Sequence, residues 1–168
     1  MWTVGWHPCT YAGPVILADA IGAWAGTNGF RMLPADPFAE SPATMTVATA
    51  AGGHLTTVSY SWAHPDDGPQ DGLLVLGVGE QPGSLVAWWG DSWHQQPGPM
   101  TLTGDAGPGA TVTLAAQYAG GWGWRVTLDG TDPATLRLRM ENVVPADQAG
   151  PAAPSGPYPV MVTDVRRA

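Results

Sequence analysis

At 168 residues the chain has the length of one ordinary domain, and 44% hydrophobic against 12% charged residues exclude a disordered chain and a coiled coil. No apolar run approaches the roughly 18 residues of a membrane helix, so no membrane partner is expected. Six Arg, no Lys and 14 Asp plus Glu leave a net charge of −8, which argues against nucleic acid and removes chemistries built on lysine, such as the Walker phosphate loop and the Schiff base.

In chain order, residues 1–13 carry no element signal and read as an N-terminal extension. Their single cysteine, Cys9, has no partner for an internal disulfide. The opening lacks a basic run, and the apolar stretch after it is short and interrupted by Asp19; no signal peptide is expected and a cytoplasmic location follows. Residues 14–168 are expected to form one domain. Pro14 suits a first helical turn, 15–21 is apolar with one Asp, and Gly22 suits the stop, which predicts a short helix.

From there Gly and Pro cluster at 34–37, 51–53, 65–69, 81–83, 97–99, 107–109, 119–121 and 129–133, separating runs of strand character. The runs predict strands at 23–33, 43–51, 54–64, 71–80, 85–94, 99–105, 110–119, 121–129, 135–144 and 159–167, most of them joined by hairpin-length turns. The proline-rich stretch 145–158 reads as a long loop or mobile flap.

Many short antiparallel strands must either stack as two sheets or close to remove their edges, and the strand count favours closure. The expected fold is all-β: an up-and-down antiparallel β-barrel of about ten strands with one short N-terminal helix. The two-residue period of a strand assigns the inward faces. They are Trp24, Asn28, Phe30 and Met32; Met45 and Val47; His54, Tyr60, Trp62 and His64; Trp122 and Trp124; and Leu136, Leu138, Met140 and Asn142. On 85–94 both faces carry Trp. Leu85, Ala87, Trp89 and Trp93 form the more apolar set and bring Asp91 inward with them. Large, aromatic, partly polar interior side chains suggest the wall of a cavity more than a close-packed core.

Gly22-Ala23-Trp24, following a short helix at the start of the first strand, together with Arg166 and Arg167 near the end of the last, resembles the calycin barrels. In lipocalins and their relatives such a Trp packs across the barrel floor against a basic residue of the final strand. The resemblance therefore implies that Trp24 meets one of the two arginines. Over 14–168 the GAWAGTN start, the DSWH run at 91–94, the GWGWR run and the VTDVRRA ending are similar to a bacterial family of lipocalin-like barrels, which implies a fold and no activity. A heme-binding branch, the nitrobindin-like proteins, takes its axial His from near the C-terminal end. This sequence has no His after His94, and no cofactor is expected.

Nine Trp in such a barrel suggest flat walls for a small hydrophobic or aromatic molecule, bound by Asn28, Tyr60, Trp62, His64, Trp89, Asp91, Trp93, Tyr118, Trp122, Trp124, Met140 and Asn142. The alternative is an enzyme, an isomerase, cyclase or hydrolase of a hydrophobic metabolite, with Asp91 as acid or base and its pKa raised by burial. A third option is a barrel filled by its own side chains that works through surface contacts; a homodimer stays open. His54, His64 and His94 fall on different strands or turn edges, and no metal is expected from them. Asp91, Ser92 and His94 carry the letters of a catalytic triad. On one continuous strand, however, Ser92 and His94 share a face about 6.8 Å apart with Asp91 opposite, so no relay among them is expected.

Overall fold

The computed structural model describes residues 15–168. The extension expected at 1–13, with Cys9, lies outside the described residues. Ten strands follow one another: β1 (Gly22–Phe30), β2 (Ala39–Ala50), β3 (Leu55–His64), β4 (Gly68–Val78), β5 (Ser84–Asp91), β6 (Gln95–Ala106), β7 (Thr111–Gln117), β8 (Gly123–Asp129), β9 (Thr135–Val144) and β10 (Gly156–Arg167). Each pairs antiparallel with its predecessor, and β1 closes on β10 from Trp24↔Arg167 to Phe30↔Met161. The fold is the expected all-β, up-and-down closed barrel.

The predicted helix at 15–21 shrinks to a 3-10 turn at Ala18–Ala20, because Leu17 takes a left-handed conformation (φ 57°) that breaks the helical path. A run this short cannot repay helix nucleation on its own. It gains more by burying Leu17 and Ala20 against the barrel floor. There Trp24 Nε1–H donates to the Ala20 carbonyl (2.8 Å) and the Thr56 hydroxyl donates to that of Ile16 (2.8 Å). The Arg167 guanidinium lies 4.5 Å over the Trp24 ring and donates to the carbonyls of Ile21 and Asp19. Of the two candidate arginines, Arg167 is the one that locks the floor.

Above the floor the interior is aliphatic and closely packed. Val58, Leu74, Leu76, Leu102, Leu114, Val126, Leu128, Leu136, Leu138 and Met140 are fully buried, so this part of the interior is a packed core where the sequence suggested the wall of a cavity. Apart from Trp24, the buried aromatic residues gather at the opposite end, where the odd-numbered strands finish. Met32 and His54, expected inward, lie beyond the ends of β1 and β3 and are exposed, Met32 to 55%. A bulge between Pro159 and Met161 lets the consecutive Val160 and Met161 both face inward. The stretch read as a flap is shorter and tied down: β10 begins at Gly156, a 3-10 turn spans Ala146–Gln148, and Trp122 Nε1–H donates to Gln148 Oε1 (2.6 Å).

One seam controls access to the aromatic end. β6 and β7 pair only from Thr103↔Ala115 to Ala106↔Val112, close to the floor. Nearer the mouth β6 runs Gln-Gln-Pro-Gly-Pro, and Pro97 and Pro99 have no N–H to offer a second neighbour. The register would set Leu102 and Thr101 against Ala116 and Gln117, yet there β6 bonds β5 alone, the end of β7 bonds β8 alone, and the wall parts between them.

Candidate functional site

At the mouth β5 stops at Asp91, and the next three residues turn back over it. The Asp91 side chain causes the turn, since its Oδ1 accepts the backbone N–H of Trp93 (2.9 Å) and of His94 (2.8 Å). The same oxygen lies 3.1 Å from His94 Nδ1, while Oδ2 accepts from the Tyr60 hydroxyl (2.7 Å) and from Trp62 Nε1–H (3.3 Å). Trp89 Nε1–H donates in turn to the Tyr60 oxygen (2.9 Å). Asp91 and His94 therefore do meet, contrary to the strand-parity argument, because the chain at 92–94 is a turn. Ser92 points away and donates to Gln70 Oε1 (2.6 Å), which leaves no serine beside the imidazole.

Burial is the largest influence on Asp91 and pushes its pKa up, as expected from the sequence. The hydrogen bonds from His94, the charge it carries when protonated, and the Tyr60 hydroxyl outweigh it and hold the carboxyl below its ordinary range. This is a correction: Asp91 is a buried, ionised acceptor with every lone-pair direction engaged. Burial pushes the Tyr60 phenol well up, and the charge of Asp91 adds to the effect, so Tyr60 stays a donor. Because an ionised carboxylate only accepts, His94 Nδ1 must carry the proton between them. The other ring nitrogen, Nε2, is buried and has no partner among the described residues.

Rings enclose this group. Phe30 lies 5.1 Å from Trp62, 4.9 Å from His64, 5.2 Å from Trp93 and 5.8 Å from His94, centroid to centroid. His64 stacks on Trp93 (4.7 Å, 17°), and Trp89 stacks on Trp124 (5.0 Å, 14°). Two clefts open beside them. One, of about 480 Å³, is lined by Phe30, Arg31, Met32, Leu33, Trp93, His94, Tyr118, Ala119, Trp122, Asn142, Tyr158 and Val160. The other, of about 280 Å³, opens at the seam between β6 and β7 and is lined by Trp89, Trp93, His94, Gln95, Met100, Tyr118, Trp124 and Asn142. They share Trp93, His94, Tyr118 and Asn142. On the rim the Tyr118 hydroxyl donates to Asn142 Oδ1 (2.6 Å) and Asn142 Nδ2–H to the Tyr158 oxygen (3.3 Å). Burial, then the neighbouring Tyr158, raises the Tyr118 pKa.

Among the expected ligand contacts, Trp89, Trp93, Tyr118, Trp122, Trp124 and Asn142 line the clefts. Tyr60, Trp62 and Asp91 stand behind them as support. Asn28 is sequestered with Thr163 (2.7 Å), Met140 belongs to the packed interior, and His64 accepts the N–H groups of Asp66 and Asp67 in the β3–β4 turn. His54 sits at the floor end, far from the other two histidines. The sequence reading omitted His94, Phe30, Tyr158 and Met100. For His94 a signal was available: an Asp at the end of a strand caps the N–H groups two and three residues on, which turns the third residue back toward it.

No protein-family model matches the chain, and no curated protein matches it. The closed ten-strand antiparallel barrel is consistent with a calycin-like fold.

Proposed function

We propose that this is a lipocalin-like barrel that binds a small, planar, largely apolar molecule in the mouth clefts. The carrying observation is the junction of two clefts on one set of residues, Trp93, His94, Tyr118 and Asn142, above a packed aliphatic floor. Aromatic walls with few polar groups favour a flat ligand, and the parted seam between β6 and β7 supplies an approach from the side. Five donated hydrogen bonds already occupy the Asp91 carboxylate, which supports a positioning role and tells against its exchanging protons with a substrate.

The test is a titration followed by intrinsic Trp fluorescence with a panel of fused-ring aromatics. Saturable quenching is expected for some of them, and Trp122→Ala should weaken the best binder by roughly tenfold, in line with truncating a buried aromatic contact. No saturable response from any member of a chemically diverse panel would remove the proposal.

A further inference from the structure

Two residues that line the side cleft each carry a buried polar atom with no partner among the described residues: His94 Nε2 and Trp124 Nε1. Both are deeply buried, the His94 side chain to 7% exposure and Trp124 to 5%. Both residues line the 280 Å³ cleft, with ring centroids 5.5 Å apart. Leaving such groups unpaired forfeits their hydrogen bonds to water, a loss that a ligand able to satisfy them would remove.

Their chemistry is complementary. The indole N–H only donates. The imidazole, with Nδ1–H committed to Asp91, presents in its neutral form a bare acceptor at Nε2. A donor and an acceptor on two rings whose centroids lie 5.5 Å apart match a hydroxyl, which gives its proton to one neighbour and accepts from the other. The walls carrying them are the stacked Trp89–Trp124 pair, Trp93 and Tyr118, which suit an aromatic ring on that hydroxyl. No Asp or Glu lines either cleft among the described residues, and Arg31 stands in the larger one, so nothing there opposes a hydroxyl of acidic character or favours an amine.

The geometry points to a phenolic ligand whose hydroxyl is held between His94 Nε2 and Trp124 Nε1, with Asp91 as the positioning residue behind the imidazole. The hydroxyl donates to Nε2 and its oxygen accepts the indole N–H. No covalent bond changes. The inference rests on the mouth clefts being the binding site and adds the chemical class of the ligand.

The test compares 4-nitrophenol with 4-nitrotoluene, of similar shape but without the hydroxyl, by fluorescence quenching and by the absorption band of the bound chromophore. The expected result is that 4-nitrophenol binds at least roughly tenfold tighter, and that its band moves to longer wavelength on binding as its proton is drawn toward His94. Trp124→Phe keeps the stacked ring and removes the donor; it should cut the preference several-fold. His94→Gln should bring the two affinities together and abolish the band shift, with circular dichroism confirming the fold. If His94→Gln does not fold, Trp124→Phe and the band shift decide by themselves. Equal, saturable binding of both probes to the unmodified protein would overturn hydroxyl recognition and leave the clefts as a binding site. A preference unchanged in both variants would overturn the assignment to these two residues. Binding of neither probe would overturn this inference, while the reading on which it rests is decided by the wider panel of fused-ring aromatics.

Discussion

Asp91 shows how one side chain sets the structure around it. Its carboxylate ends β5, turns the chain at 92–94, orients His94 and anchors Tyr60 and Trp62. Asp91→Ala leaves all of these donors without their acceptor and should cost about 3–5 kcal/mol, the range for breaking a buried charged network, in urea denaturation. Asp91→Asn, which keeps one accepting oxygen, should cost less. The same network sets a pH dependence. Both Asp91 and Glu141 are held below their ordinary carboxylate range: burial raises the Glu141 carboxyl, and hydrogen bonds and charge from Arg125 and Arg139 pull it further down. A group whose folded pKa is depressed contributes stability above its unfolded value, near 4, and loses it as pH falls through the folded value. The thermal midpoint should therefore hold steady from neutral pH to about pH 5 and drop below about pH 4, with a shallower drop in Asp91→Asn. That Asp91 faces inward was legible from alternation. That it would be ionised was not, because the depression depends on donors brought from β3 and from the turn.

Between strands, the contact of Tyr60 with Asp91 depends on a missing side chain. Tyr60 on β3 and Asp91 on β5 are not neighbours; Gly72 of β4 stands in register between them. A Cβ at Gly72 would sit 2.1 Å from the Tyr60 hydroxyl oxygen, so the phenol crosses β4 only because that position is glycine. Gly72→Ala should push the ring off Asp91 and destabilise the protein by about 2–3 kcal/mol or more, the cost of overpacking plus a broken hydrogen bond. Gly90→Ala, where the added methyl meets nothing within 4 Å, serves as the control and should stay within about 0.5 kcal/mol. The turn at 92–94 and the parted seam at β6 are also element-level results. The first comes from an Asp that accepts the N–H groups of Trp93 and His94 in place of the ladder; the second lies where Thr101 and Leu102 leave Gln117 and Ala116 unpaired. Alternating hydrophobicity hides both, since Trp93 and Met100 continue the strand pattern on paper.

Over the whole molecule, the barrel divides into a sealed floor and an aromatic mouth. The floor lock joins the two ends of the described chain, Arg167 covering Trp24 and reaching the carbonyls of the N-terminal turn. Arg167→Ala should lower stability by about 1 kcal/mol, or roughly 2–4 °C in thermal midpoint for a chain of this size. Arg166→Ala should leave the midpoint nearly unchanged, since Arg166 is exposed and makes no side-chain hydrogen bond or ion pair among the described residues. Equal losses in the two variants would show that the floor contact contributes nothing beyond charge. The aliphatic middle of the barrel is packed solid; space of ligand size lies at the mouth, between the rings and beside the parted seam, and also in a cleft of about 480 Å³ at the floor end, lined by Ile16, Leu17, Gln81, Pro82, Ala110 and Val112.

Strand number, turn positions and most inward faces followed from the chain alone, because alternation and the φ preferences of Gly and Pro act over two to four residues. Alternation also placed Asp91 indoors, and the resemblance to calycin barrels implied Trp24 at a floor. What only the closed barrel decided is which of those inward groups meet: Tyr60 with Asp91 across Gly72, Asp91 with His94 across a turn, and His94 with Trp124 at one cleft, their Nε2 and Nε1 without partners among the described residues. Those meetings depend on the accumulated register of ten strands around a closed sheet, a long-range quantity that no window of sequence contains.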